Sequence, residues 1–416
     1  MVPCECTPIS GLFLLKGGAM KLFLICGKAD SGKNFFGNIL KEEFEKKEYK
    51  VCMLRLTEPL YNYAIKYFSW DGSEKNKPRS LLQNLGCELI KEKLGLKDFL
   101  INRLREDITI LDEFFDVGII TDGRLIYEFD KLKEYYPHLK IIKMERDIEN
   151  NLQPLEKKHI TETDLDNSYN YDYVVKNTDI ETLKTKSSEI FKKEKYFEIA
   201  IDGPSSTGKS TVSKIVAKNL SFMYIDTGSM YRALSLYFIN NNLDYNDEDV
   251  VNDNLSNIDV KIKFSLNGQK VFLNNSDVTH LIRTEEISKV SSIISTYKNV
   301  REKMVMLQKR MSKTNNVIMD GRDIGSVVMP YADLKIYLDA DKNIRIERRY
   351  KEYKEKGVDI SFEQVKKQLE ERDKRDKERE NSPLVKCKDA SVIDTTNLTI
   401  DETVKEIIKL YEEKRK

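Results

Sequence analysis

The chain has 416 residues, too many for one ordinary domain, and its 40% hydrophobic content is enough for full-sized cores, so we predict two or three domains. A formal net charge of +1 argues against bulk binding to nucleic acid or acidic membranes. No apolar run is long enough to span a membrane. The 6 cysteines form no C-x-x-C pair and there are only 3 histidines, which argues against a disulfide framework, a metal cluster and Ser-His or Cys-His catalysis. We therefore expect a cytoplasmic protein without nucleic-acid or membrane partners, and composition leaves its oligomeric state open.

The first 19 residues differ from the rest of the chain. A short apolar run at Gly11–Leu15 precedes Met20, but the basic start and the small-residue cleavage site of a signal peptide are missing. Lys16–Ala19 could instead be encoded by a purine-rich ribosome-binding sequence. We predict that Met20 is the true start and that residues 1–19 are upstream sequence or a disordered leader.

A phosphate-binding loop is predicted directly after the apolar strand Lys21–Cys26. Residues 27–34 read G-K-A-D-S-G-K-N, and a helical pattern follows them. This string matches the phosphate-cradling pattern G-x-x-x-x-G-K-[ST] up to its last position. We expect Gly27, Gly32 and Lys33 to bind ATP through backbone N–H groups and the lysine ammonium.

The last position of this loop departs from the pattern. Asn34 stands where Ser or Thr should hold Mg²⁺, and an amide oxygen is the weaker ligand. Nucleotide binding is therefore expected, whereas catalysis is left open. The alternative is a degenerate loop kept as scaffold.

Candidate acceptor-binding residues follow in this half. K-P-R-S-L-L-Q-N-L-G at residues 77–86 opens a helix with Arg79 and Gln83 on one face, although a capped surface helix would read the same way. A buried strand ends in Asp122 and Arg124, and the ends of parallel strands are where α/β sheets bind ligands. Further strands are predicted at Leu139–Met144 and near residues 172–178.

This combination resembles the deoxynucleoside-monophosphate-kinase-like branch of the P-loop kinases. The supporting features are the loop, the 77–86 string, D-x-R at 122–124, Arg146, His159 with Glu162, and Val175-x-Asn177, over most of residues 20–190. The resemblance implies that Arg79 and Gln83 contact an acceptor nucleotide and that Arg124 contacts its phosphate. Asp122 is the fourth acceptor-site candidate.

The second half begins with a complete phosphate loop. A strand predicted at Tyr196–Ile201 leads into G-P-S-S-T-G-K-S-T, and a helix starting at Lys209 leads out. Lys209 should reach the β- and γ-phosphates, and the Ser210 hydroxyl should hold Mg²⁺. The alternative is a Gly/Ser loop that binds nothing. The predicted ATP-binding residues are Gly203, Pro204, Ser205, Ser206, Thr207, Gly208, Lys209, Ser210 and Thr211.

Three later features predict a substrate lobe and a lid. Residues 258–275 alternate apolar and polar around Asn267-Gly268, which is typical of a β-hairpin. Residues 317–323 form a buried strand that ends in D-G-R-D. Residues 343–379 are dense in Arg, Lys and Glu; such a run is usually a solvated helix face, but a kinase needs cations that close over the phosphoryl group.

Residues 196–416 resemble bacterial-type cytidylate kinase along their whole length. The supporting strings are I-D-G-P-x-x-x-G-K-S-T, D-T-G-x-M-Y-R, I-R-T-E-E-I, M-D-G-R-D-I-G, R-D-x-R-D-x-x-R and V-I-D-T-T. The residues that the resemblance assigns to the acceptor nucleotide are Thr227, Arg232, Ser292, Arg301, Arg322, Asp323, Arg372, Asp376 and Arg379. Within this set, cytosine recognition falls to Thr227, Ser292, Arg301 and Asp323, the phosphate to Arg232, Arg322 and Arg379, and the ribose to Asp376. The catalytic candidates are Lys209, Arg322, Arg348 and Arg372.

Together these features predict an α/β protein made of two P-loop NTPase domains of the nucleoside monophosphate kinase type. Each is expected to be three-layered with a parallel central sheet, at residues 20–193 and 194–416, the second with an inserted hairpin lobe. The expected activity is transfer of a phosphoryl group from ATP, with Mg²⁺, to CMP or dCMP. For the first domain two hypotheses remain open, a second nucleotide kinase and a nucleotide-sensing regulatory module without turnover.

Overall fold

The computed structural model describes residues 19–147, 154–265 and 268–415. The predicted leader therefore lies outside the described residues, apart from Ala19. The chain divides into two compact units, Ala19–Lys195 and Tyr196–Lys416. In the part of the chain that is described, no helix has both the length and the apolar character needed to cross a bilayer.

The first unit alternates strands and helices. Its strands are β1 (Lys21–Cys26), β2 (Val51–Leu54), β3 (Val117–Gly123), β4 (Lys140–Glu145) and β5 (Tyr173–Lys176). Its helices are α1 (Lys33–Glu45), α2 (Glu58–Phe68), α3 (Arg79–Gln83, continued by a π-helical stretch, Asn84–Lys93), α4 (Phe99–Leu111), α5 (Ile126–Tyr135), α6 (Pro154–Lys158), α7 (Ile160–Thr163, followed by a 3₁₀ turn, Asp164–Asp166) and α8 (Ile180–Glu194).

The sheet of the first unit has the strand order β2-β3-β1-β4-β5, and its described pairs are parallel. Residues of β1 pack alternately into two different cores: Leu22 and Leu24 into one, Phe23 and Ile25 into the other. Both faces of the sheet are therefore covered, as expected for a parallel sheet inside a three-layer domain.

The second unit repeats the pattern with an insertion. Its strands are β6 (Glu198–Asp202), β7 (Met223–Asp226), β8 (Val260–Ser265), β9 (Gly268–Leu273), β10 (Ser276–Asp277), β11 (Val317–Gly321), β12 (Leu334–Asp339) and β13 (Ser391–Asp394). Its helices are α9 (Lys209–Leu220), α10 (Thr227–Asn240), α11 (Glu248–Asn254), α12 (Glu285–Ile294), α13 (Lys298–Ser312), α14 (Lys342–Glu355), α15 (Phe362–Glu378) and α16 (Ile400–Arg415), and Ile324–Val328 form a π-helical turn.

The main sheet of this unit has the order β13-β12-β6-β11-β7, again with parallel pairs. Counted from its own first strand, this is the same order as in the first unit, with β6 in the place of β1. Two parallel-sheet α/β domains of one topology confirm the predicted fold class.

The inserted lobe is a separate antiparallel sheet, β8-β9-β10. The hairpin is confirmed, although its turn residues 266 and 267 lie outside the described residues. The third strand, β10, was not predicted, because two residues are too short to show an alternating pattern. The lobe packs together with α10, α12 and α13 around one hydrophobic core.

Candidate active site

The two phosphate loops adopt the same backbone conformation. Gly27 and Gly203 both have φ of 151°, and Gly32 and Gly208 have φ of 94° and 86°. A Cβ atom on Gly203 would lie 2.1 Å from the backbone oxygen of Leu338. Only glycine fits such a position, so the sequence pattern here follows from backbone geometry.

Lys209 begins α9 at the carboxyl end of β6, and its side chain is buried. Its Nζ donates to the Pro204 carbonyl at 2.5 Å and to Thr207 Oγ1 at 3.4 Å. Burial, together with the neighbouring Arg322 guanidinium, lowers the pKa of Lys209 well below its usual value. An anion at the loop would oppose this effect and favour the charged lysine.

Ser210 and Asp320 form a candidate metal pair. Ser210 Oγ donates to Asp320 Oδ2 at 2.7 Å, and the Tyr224 hydroxyl donates to Asp320 Oδ1 at 2.7 Å. In P-loop NTPases a loop Ser or Thr and a strand-end Asp hold the magnesium ion, so these two oxygen ligands fit a hard divalent cation. The motif predicts this role for Ser210 but not for Asp320, because the contact depends on the parallel pairing of β6 with β11.

A second aspartate holds the loop that follows β11. Asp202 accepts from the amides of Ile324 at 2.9 Å and Gly325 at 2.7 Å. Its carboxyl is buried, and burial raises its pKa to about 6. Asp202 thereby fixes the turn that carries Arg322 and Asp323.

Arg322 connects the phosphate loop to the helix α15. Its Nη2 donates to Ser205 Oγ at 2.9 Å and its Nε to Asp376 Oδ2 at 2.7 Å. The Arg322 guanidinium contributes to holding the pKa of Asp376 below its ordinary value, against the effect of burial. Two predicted acceptor residues thus meet beside the loop.

A second set of hydrogen bonds joins α14 and α15 to the same phosphate loop. Arg345 Nη1 donates to the Ser205 carbonyl at 3.1 Å and to Asp373 Oδ2 at 2.5 Å. The Ser205 amide donates to Asp373 Oδ1 at 3.3 Å. Both partners are buried, and neither was singled out in the sequence, since each belongs to a charge-dense run.

Four further predicted acceptor residues, Arg232, Arg301, Asp323 and Arg379, lie in ion pairs. Arg301 pairs with Asp323 in a buried contact, and Arg379 Nη2 lies 3.8 Å from the other oxygen of Asp323. Arg232 Nη2 donates to Asp226 Oδ2 at 2.8 Å. The two pairs made by Asp323 bring residues from the D-G-R-D segment, α13 and the end of α15 together.

Several arginine nitrogens in this group have unmet hydrogen-bonding capacity. Four buried donors find no hydrogen-bond partner among the described residues: Arg232 Nε, Arg301 Nε, Arg372 Nε and Arg379 Nη2. Burial and the Arg322 charge lower the pKa of Arg372 to about 10. Buried donors are normally paired, so such a set fits an anionic ligand with several acceptor oxygens.

Two predicted residues contact partners that the sequence did not indicate. Ser292 Oγ accepts from Arg375 Nη1 at 2.6 Å, which joins α15 to the substrate lobe. Arg348 donates to the Thr395 carbonyl at 2.6 Å and to Thr396 at 3.4 Å, at the loop after β13. Its hydrogen bonds therefore do not join the Arg322–Asp376 group.

Thr227 begins α10 and is buried. Its Oγ1 donates to the Asp320 carbonyl at 2.7 Å. This bond fixes the start of α10 against the end of β11, next to the candidate metal pair.

The first unit contains a cavity of about 460 Å³ beside its phosphate loop. Lys33 and all four predicted acceptor candidates of this unit line it, namely Arg79, Gln83, Asp122 and Arg124. Arg79 pairs with Asp30 at 3.2 Å, and Arg124 pairs with the buried Glu162. Gln83 Nε2 donates to Thr161 Oγ1 at 3.2 Å.

The family model and the curated relatives match the second unit. The family model described as cytidylate kinase matches residues 199–413. The chain is 47% identical over 221 residues to cytidylate kinase of Bacillus subtilis (strain 168), which is 53% of this chain and 99% of that protein. It is 45% identical over 217 residues to cytidylate kinase of Caldicellulosiruptor saccharolyticus, 52% of this chain and 96% of that protein.

Solved structures give weaker likenesses. Dephospho-CoA kinase from Campylobacter jejuni has a TM-score of 0.25 at 16% identity, covering 42% of this chain and 97% of that one. Shikimate kinase from Aquifex aeolicus has a TM-score of 0.23 at 14% identity, covering 52% and 97%. Similarities of this size support no inference about function.

Proposed function

The chain belongs to the cytidylate kinase family, and from this premise we propose that its second unit transfers the γ-phosphoryl group of ATP to CMP or dCMP. The products are ADP and CDP or dCDP. The single observation that supports this best is the set of buried arginine nitrogens without a hydrogen-bond partner in the described part of the second unit, which also holds a complete phosphate loop. A phosphate ester is the ligand that such donors match.

The proposed roles follow from the geometry around the loop. Backbone amides of Gly203–Thr211 and the Lys209 ammonium bind the triphosphate, and Ser210 with Asp320 would hold Mg²⁺. The metal, when bound, neutralises charge on the phosphate oxygens. Little covalent chemistry is required of the protein, so positioning and charge neutralisation account for most of the rate.

The acceptor is proposed to lie between the D-G-R-D segment and α15. Arg232, Arg322 and Arg379 would bind its phosphate, and Asp376 its ribose. The base would contact the remaining members of the predicted set: Thr227, Ser292, Arg301 and Asp323. Arg348 and Arg372 are the proposed further catalytic arginines.

The partners proposed for this unit are small nucleotides, namely ATP, CMP and dCMP. The near-neutral charge supports the absence of a nucleic-acid or membrane partner, and the scattered cysteines support a reducing, cytoplasmic location.

The test is substitution of the loop lysine in the full chain. We expect Lys209→Ala to abolish CDP formation from ATP and CMP, measured by chromatography of the products. The matched control is Lys218→Ala, an exposed lysine near the end of the same helix, which should retain the activity. Substantial CDP formation by Lys209→Ala would mean that transfer occurs elsewhere in the chain.

For the first unit we propose nucleotide binding at its own phosphate loop. One hypothesis is a second nucleotide kinase acting on a deoxynucleoside monophosphate. The other is a nucleotide-sensing module without turnover. Asn34, at the position where Ser or Thr would hold the metal, is the feature that discriminates between the two hypotheses. Assay of the Lys209→Ala chain with ATP and a panel of monophosphates would detect turnover by the first unit alone.

A further inference from the structure

The two units of this chain present closely matched parts, so each can serve as a reference for the other. In both, the third loop residue donates its amide to a carboxylate from a later helix: Ala29 to Glu162 at 2.8 Å, and Ser205 to Asp373 at 3.3 Å. Those carboxylates each pair with an arginine. The two loops are therefore held in the same way.

The polar residue after the last strand is matched as well. Asn177 Nδ2 donates to the Ser31 carbonyl at 3.0 Å, and Thr395 Oγ1 donates to the Thr207 carbonyl at 3.3 Å. Ser31 and Thr207 occupy the same position of their loops. Up to the lysine, the phosphate-binding apparatus of the first unit is complete.

The match ends at the metal pair. Asn34 replaces Ser210, and Asp122 occupies the strand-end position of Asp320. Asp122, however, accepts from the Leu56 amide at 2.8 Å, the Thr57 amide at 2.9 Å and Thr57 Oγ1 at 2.5 Å. Three donors thus direct this carboxylate to the loop after β2, and a neutral amide side chain replaces the hydroxyl.

The residues of the first unit therefore do not fit the magnesium site of a P-loop kinase. Such a site needs a hydroxyl oxygen and a strand-end carboxylate beside it, both hard oxygen ligands, as Ser210 and Asp320 provide in the second unit. The first unit supplies an exposed amide and a carboxylate already occupied by three donors.

The cavity nevertheless has the composition of a phosphate-ligand site. Cationic side chains outnumber anionic ones on its walls: Lys33, Arg55, Lys77, Arg79, Lys91, Arg124 and Arg146 against Asp30, Glu74, Asp122, Glu128 and Glu162. Part of the wall is apolar, formed by Leu60, Leu82, Leu100 and Leu125. A volume of about 460 Å³ lies within the range of small-molecule sites.

A buried ion pair lies on the same wall. Lys91 Nζ and Glu128 Oε1 are 2.5 Å apart, with side chains 11% and 4% exposed. Such a pair offers a donor and an acceptor to a polar ligand group at a largely buried part of the cavity wall.

We propose that the first unit binds a phosphorylated nucleoside in this cavity without a divalent metal and does not transfer its phosphoryl group. The inference rests on the nucleotide binding proposed above for this unit and selects the sensing module over the second kinase. The cationic walls take over the charge neutralisation that the metal provides in the second unit.

Binding is tested in the full chain carrying Lys209→Ala, so that turnover by the second unit does not interfere. The probes are ATP and a panel of nucleoside 5′-monophosphates, each titrated calorimetrically in magnesium and in EDTA. We expect at least one probe whose affinity changes less than about twofold on removal of the metal.

The binding must also depend on the cavity. Arg124→Gln should weaken it about tenfold or more, because a charge-assisted contact to phosphate is lost. The matched control Arg103→Gln, an exposed arginine on α4, should leave the affinity unchanged. Lys33→Ala provides a second test should Arg124→Gln fail to fold.

Transfer is measured with labelled ATP, magnesium and the same panel of monophosphates. We expect no labelled diphosphate from the Lys209→Ala chain. Magnesium-dependent transfer that Lys33→Ala removes would overturn the inference and establish the second kinase.

The remaining outcomes separate the inference from its premise. Binding that requires magnesium overturns metal independence while leaving nucleotide binding by this unit in place. If no probe shows a binding step that Arg124→Gln or Lys33→Ala removes, both the inference and nucleotide binding by the first unit are wrong. CDP formation by the unmodified chain is unaffected by either result.

Discussion

At the scale of single residues, the second unit concentrates buried charge around its phosphate loop. Lys209, Arg322, Arg372 and Asp376 influence one another's protonation, and burial acts against the charged form of each. Burying several arginine nitrogens without hydrogen-bond partners costs free energy, and binding of an anion lowers that cost. The free-energy cost of burying these charges is therefore highest in the empty site and falls when an anionic ligand binds.

Arg372→Gln should reduce CMP phosphorylation by roughly 10³-fold, because one of the proposed catalytic cations is lost. Steady-state kinetics on the full chain measures this. Lys374→Ala, two residues along the same helix and exposed, serves as the control. Equal effects of the two substitutions would show that Arg372 acts only through helix stability.

Asp202 makes a pH-dependent contribution whose sign can be tested. Its folded pKa is about 6 against an ordinary value of 3.8, so between these values the native state retains a proton that the unfolded state has lost. Stability from this group is therefore full below about pH 4 and declines as pH rises to about 6. The difference amounts to roughly 3 kcal/mol.

We expect the stability of the unmodified chain, relative to Asp202→Asn, to fall over this pH range. Urea midpoints of both proteins, measured at intervals from about pH 4 to 7, provide the comparison. A difference that stays constant with pH would contradict the proposed titration of this carboxyl.

At the scale of elements, α14 and α15 pack against each other and contact the phosphate loop of the second unit. Their contact has its own apolar core, formed by Ile346, Tyr353, Ile360, Val365 and Leu369. One end is tied to the phosphate loop through Arg345 and Asp373, and Arg375 reaches the substrate lobe. These helices span most of the charge-dense segment for which a lid is predicted from the sequence.

Arg345→Met should destabilise the second unit by about 3–5 kcal/mol, because it removes the only described cationic partner of the buried Asp373, which keeps just the Ser205 amide. Thermal unfolding of the full chain measures the effect. Lys356→Ala breaks an exposed pair with Glu352 and should cost about 1 kcal/mol or less. A similar small loss for Arg345→Met would mean that water replaces the arginine.

Closure of these helices is also testable. Addition of CMP with a non-hydrolysable ATP analogue should slow amide hydrogen exchange within Phe362–Glu378 and Glu285–Ile294, since Arg375 and Ser292 connect them. Unchanged exchange in both segments at saturating ligand would contradict a lid that closes over the nucleotides.

At the scale of the whole molecule, the chain uses one strand order and one loop geometry twice. The units differ where the metal would be held, and the second also carries an inserted lobe. A comparison inside one chain removes differences of solution conditions, so one residue swap between the units is informative.

Ser210→Asn installs in the second unit the residue that the first unit carries. We expect CMP phosphorylation to fall by about tenfold or more, with a shift of the magnesium requirement to higher concentration, because the hydroxyl ligand is lost. Ser221→Asn is the matched control, since that residue follows the same helix at a left-handed position that asparagine tolerates. Full activity of Ser210→Asn at low magnesium would exclude Ser210 as a metal ligand.

The sequence by itself determined the fold class, both phosphate loops and the family of the second unit. These three features follow from local sequence patterns, namely glycines at fixed spacing, apolar strands before them, and D-G-R strings at strand ends. Contiguous residues encode each of these features, so no knowledge of distant contacts is needed.

The tertiary structure alone decided which residues meet. The pairs Ser210–Asp320, Arg345–Asp373 and Arg375–Ser292 join segments 110, 28 and 83 residues apart. The same is true of Asp122, whose carboxylate accepts from Leu56 and Thr57. Residue spacing does not encode such contacts, because sheet pairing and helix packing bring distant side chains together and set which oxygen each donor reaches.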